Sequence, residues 1–168
     1  MGIMKAAAVK GMIPAGNKVS ELRSNLVRLI TEMPIVLNER FGKEGLEAVA
    51  EIFRRLGEQD AIAMKERLGL GESLKDAVDA WIVIGHVMGS KMDVTWESEN
   101  RAVADHPFCP QYEEFKKNGK IYCEFACWPY VGAIGEKIAP GVKMEIVQPA
   151  DMNRTCTKAL VYTLTDVE

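Results

Sequence analysis

Two hydrophobic periods divide this chain, and the change between them after Gly89 constrains its fold more than any other feature. Before it, apolar residues recur every three or four positions, as they do on a helix. After it they alternate, as they do on a strand. From Val19 to about Phe41 the apolar positions Val19, Leu22, Leu26, Leu29, Ile30 and Met33 form one such helical face, with Pro34 expected to kink or divide the element. A second long helix opens after Gly42 on Leu46, Val49, Ile52, Phe53 and Leu56 and continues through Ile62, Met64 and Leu68, with a break expected at Gly57. Ser73 is an N-cap for a third helix whose face is Leu74, Val78, Trp81, Ile82 and Gly85.

Beyond Gly89 the run Met92 to Ala104 alternates as one strand. Pro110 opens a helical segment that leads through Gly119 into a longer helix, IYCEFACWPYVGAIGEKI. The segments VKMEIVQ and CTKALVYTL then read as two strands around the turn-rich PADMNRT. The expected fold class is α+β, with N-terminal helices packed on a small, mainly antiparallel sheet that carries a cysteine-bearing helix. The expected organisation is an arm over residues 1–17 and one domain over 18–168, with a helical half at 18–89 and a cysteine-bearing half at 90–168.

The chain has 168 residues, and its 21 basic and 24 acidic side chains give a net charge of -3. No positive surplus exists to hold a phosphate backbone, so nucleic acid is not an expected partner. The apolar run Trp81 to Met88 is interrupted by Gly85 and His86 and is far shorter than the roughly 20 residues a bilayer crossing needs, so no membrane is expected either. The opening MGIMKAAAVKGMIPAG is too weakly apolar for a secretory signal, and Ala6 stands where the myristoylation pattern wants Ser or Thr. A loosely packed arm in a cytoplasmic protein is the reading, and the apolar helices would support a homodimer. Neither GxGxxG nor a Walker pattern occurs, so nucleotide binding has no support.

The chemistry concentrates in sulfur. All four cysteines, Cys109, Cys123, Cys127 and Cys156, fall in the second half. Cys123 and Cys127, one helical turn apart, would emerge from one helix face. Cys109 lies in HPFCP at a helix start, three residues after His106, and Cys156 opens the last strand. Three readings stand side by side. The thiols are small core hydrophobes. Or they are metal ligands, with or without His106 or His86, for zinc or an iron-sulfur cluster, although the spacing is not paired CxxC. Or Cys109 is a nucleophile activated by His106, next to Asp105. A disulfide ranks below these, because nothing points to secretion. His86, on an apolar helix face, reads first as a core histidine. Arg101 and Arg154 are candidate clamps for a substrate carboxylate, and Trp96, Trp128 and Tyr130 candidate walls for a planar substrate.

The string Cys109-Pro110, the C-x3-C of Cys123 and Cys127, the glycine-led strand at Gly141 and Cys156 at the last strand resemble the L-2-amino-thiazoline-4-carboxylic acid hydrolase-like family over residues 92–164. The chain differs in having Trp128-Pro129-Tyr130 after the C-x3-C and Asp151-Met152-Asn153-Arg154 where that family has a Gly-Asp turn. The resemblance implies a small α+β hydrolase that opens a cyclic amidine at a C–N bond. A more distant likeness is to vinyl-4-reductase-type ligand-binding domains. The competing class is a non-enzymatic cysteine-rich module that holds zinc or an iron-sulfur cluster for redox or ligand sensing.

Overall fold

The computed structural model describes residues 8–163. Three helices, α1 (Ala15–Phe41), α2 (Lys43–Leu68) and α3 (Leu74–Met88), are followed by a hairpin of β1 (Lys91–Ser98) and β2 (Arg101–Phe108). Then come α4 (Pro110–Lys117), α5 (Cys127–Ile138), β3 (Val142–Gln148) and β4 (Thr157–Tyr162). The four strands form one antiparallel sheet in the order β1-β2-β4-β3. The fold is α+β, helices on an antiparallel sheet, as the two periods require.

The third helix is specified locally. Ser73 accepts from the Asp76 backbone N–H while the Asp76 carboxylate accepts from the Ser73 N–H at 3.0 Å, a capping box. Gly89, with φ of 78°, ends the helix in the left-handed region and turns the chain into β1.

Pro34 and Gly57 do not break their helices. Pro34 is buried within a continuous α1. Gly57 lies where α5 crosses α2, and a Cβ there would fall inside contact distance of the Tyr130 carbonyl oxygen. The absent side chain lets two backbones approach. The arm expected over residues 1–17 is shorter, because α1 begins at Ala15; residues 1–7 lie outside the described residues.

The long strand expected from Met92 to Ala104 is two strands joined at Glu99-Asn100, with Val94 opposite Ala104 and Trp96 opposite Ala102. Alternation continues across so tight a turn, which is why one strand and a hairpin look alike in sequence. The long helix expected from Ile121 begins only at Cys127, and Cys123 stands in the preceding turn. Pro129 suits the first turn of a helix, where a missing N–H leaves no bond unmade.

Two core clusters meet edge to edge. Trp81, Ile134, Ile138, Val142 and Leu160 join α3 and α5 to the sheet. Val49, Phe53, Phe115, Tyr122 and Cys123 join α2 to the α4–α5 region. The apolar stripe of α1 behaves differently from its sequence reading: Val19, Leu22, Leu26 and Leu29 are exposed, and the buried positions are Val27, Thr31 and Pro34. A homodimer of the expected kind would need such a face. Among the described residues no helix is long and apolar enough to cross a membrane.

Candidate functional site

Where the two clusters adjoin, packing leaves a cavity of about 300 Å3, at the lower end of the size range of small-molecule sites. All four cysteines line it, together with His106 and Lys158. They arrive from separate segments: His106 from β2, Cys109 from the N-cap of α4, Cys123 from the turn before α5, Cys127 from its first residue, and Cys156 and Lys158 from the start of β4. The helical side of the cavity is apolar, with Leu26, Ile30, Phe53, Leu56, Ile84 and Met88. Gly85, Ala126 and Ala150 leave the space unfilled.

The sulfur-lined end is close-knit. The Cys109 thiol donates to Gln111 Oε1 at 3.2 Å, and Lys158 Nζ donates to Cys156 Sγ at 3.5 Å. The neighbouring Cys123 side chain, then burial, pushes the Cys127 thiol up. Burial, then the neighbouring Cys127, pushes the Cys109 thiol up to about 11. Burial, then the Lys158 charge, pushes His106 down to about 3 despite nearby Asp105. The imidazole and the Cys109 thiol are therefore both neutral at pH 7.

No hydrogen bond joins Cys109 to His106: the thiol donates to Gln111, and the imidazole Nδ1 is buried without a partner. Strand geometry explains Asp105: it is exposed while His106 is buried, because adjacent side chains leave opposite faces of β2. The Asp105 carboxylate accepts from the Thr157 hydroxyl at 2.9 Å. On the other wall, Tyr130 donates to Asp60 Oδ2 at 2.6 Å, and burial and that carboxylate hold the phenol proton. The Trp81 indole N–H donates to the Val131 carbonyl at 2.8 Å.

Several expected site residues stand elsewhere. Arg101 is on the other face of the sheet, paired with Glu97 and Glu145. Arg154 is exposed in a loop, 3.7 Å from Asp151. Trp128 lines a separate shallow depression beside Arg54 and Glu136, its indole N–H buried and unpaired. Trp96 and His86 are exposed, so His86 is not a core histidine. Tyr130 does line the cavity. Among the described residues no three His, Cys, Asp or Glu side chains are grouped as a metal ion would need.

Sequence reading missed Lys158, Asp60, Gln111 and Tyr112. The first had a signal: Cys156, Lys158, Leu160 and Tyr162 share one side of β4, and a lysine between Cys156 and Leu160 on the core side breaks the apolar pattern. Comparison with protein-family models and with curated proteins finds no match for this chain.

Proposed function

We propose that the cavity binds a small organic molecule and presents an electrophilic C–N centre to the cysteine-lined end, where thiol attack opens it. The observation that carries this reading is the convergence of four free thiols on one cavity whose helical wall is apolar. Hydrolysis of a cyclic amidine is the reaction that the sequence resemblance implies. The sulfur adds to the amidine carbon, the ring nitrogen leaves with the thiol proton, and water then displaces the sulfur and restores the thiol.

Two features favour such a ligand. A neutral imidazole carries one bare acceptor nitrogen, and His106 Nδ1 is buried without a partner, so an amidine N–H is a fitting donor to it. The sulfur in contact with an ammonium is Cys156, a partner that suits a thiolate, whereas the Cys109 thiol is pushed up to about 11. The zinc or iron-sulfur alternative has the shared cavity as its only support, and metal analysis of protein purified without oxygen tests it. Reduced thiols suit the cytoplasm, where we place the protein.

The test is incubation with 2-amino-thiazoline-4-carboxylate, with products followed by mass spectrometry. A ring-opened product one water heavier is expected, lost to background in Cys156→Ser while the ligand still raises the melting temperature. Neither turnover nor binding, or turnover unchanged in all four Cys→Ser variants, overturns the proposal.

A further inference from the structure

Lys158 is the least expected side chain in the molecule. It is 4% exposed on the core face of an inner strand, between Ala104 on β2 and Ile146 on β3. Among the described residues no carboxylate pairs with it. Its neighbours are the Cys156 sulfur at 3.5 Å and the Trp81 ring at 5.9 Å, both weak partners for a full charge. A buried, unpaired ammonium costs several kcal/mol, so a chain that keeps one has a use for it. Tyr112 lines the same cavity, and its hydroxyl is buried without a partner. An ammonium whose acceptor is a sulfur and a hydroxyl with none belong to side chains lining a cavity whose helical wall is mostly aliphatic, with the Asp60 carboxylate held by Tyr130.

We propose that Lys158 and Tyr112 receive the carboxylate of a small amphipathic organic acid, whose apolar body lies against Leu26, Ile30, Leu56, Ile84 and Met88. This rests on the cavity being a ligand site, and it assigns the anion-binding role to Lys158 in place of Arg101 and Arg154. A carboxylate supplies a counter-charge for the ammonium and an acceptor for the phenol. The aliphatic walls select against a bare inorganic anion.

Ligand-observed NMR titration with hexanoate and its neutral counterpart hexanamide tests the assignment on the full chain. Wild type is expected to favour hexanoate by at least about tenfold, the factor one charge-assisted hydrogen bond supplies. Lys158→Met is expected to abolish that preference while still binding hexanamide, and Lys158→Arg to retain it. Tyr112→Phe is expected to weaken hexanoate alone, which keeps a readout if Lys158→Met fails to fold. Equal binding of the two probes by wild type, or an unchanged preference in Lys158→Met and Tyr112→Phe, overturns the anchor and leaves the cavity reading standing. Binding of neither probe by wild type overturns both.

Discussion

At the scale of single residues, two buried groups dominate: a histidine held neutral and a lysine held beside sulfur. Because burial lowers His106 to about 3 from 6.5, the unfolded chain takes up a proton on this ring before the native chain does. Native stability is therefore lost as pH falls from about 6.5 toward 3, by up to about 1.4 kcal/mol per pH unit from this group. Urea unfolding at pH 7 and pH 4.5 is expected to show that loss in wild type and a shallower one in His106→Gln; equal slopes would contradict the buried neutral ring. The segments that carry the cysteines were legible in sequence. Their hydrogen bonds were not, because the Cys109–Gln111 contact depends on how β2, α4 and β4 meet in space. Arg101 looked like a clamp because it lies near cysteine-bearing segments, yet one residue of strand register puts it on the opposite face.

At the scale of elements, two glycines set the cavity's walls in opposite ways. Gly57 lets α2 and α5 touch, which holds Asp60 to Tyr130 and sets Cys127 in place. Gly57→Ala is expected to force the helices apart at a cost of about 1–3 kcal/mol, read as a lower urea midpoint. Gly85 faces open space, and a Cβ there would meet only Met92, at an ordinary 3.7 Å. Gly85→Ala is thus expected to stabilise α3 by about 0.5–1 kcal/mol. A stabilised Gly57→Ala or a destabilised Gly85→Ala would contradict these roles. The three N-terminal helices and β3 were legible from periodicity and capping, since each is specified by its own residues. The β1–β2 turn and the start of α5 were not, because alternation runs through Glu99-Asn100 and because nothing local marks the turn that holds Cys123.

At the scale of the whole molecule, the proposed function hangs on a gap between two cores. Neither cluster alone builds the cavity; Trp81 comes from one side, Phe53, Cys123 and Ala126 from the other, and Tyr130 packs against both. The fold class followed from the order of the two periods, whereas the gap followed from small residues at positions that no period distinguishes. The sulfur atoms of Cys109, Cys127 and Cys156 share it with one ammonium, whose charge bears on Cys109 and Cys127 as well as on His106.

The most direct test of that convergence is bridging by dibromobimane, a short thiol-to-thiol cross-linker, on the native chain, with the linked peptides identified by mass spectrometry. Shared occupancy of one cavity predicts links from Cys109 to Cys127 or Cys156, across segments distant in sequence, beside the local Cys123–Cys127 link. Single adducts alone, or only the local link, would contradict it.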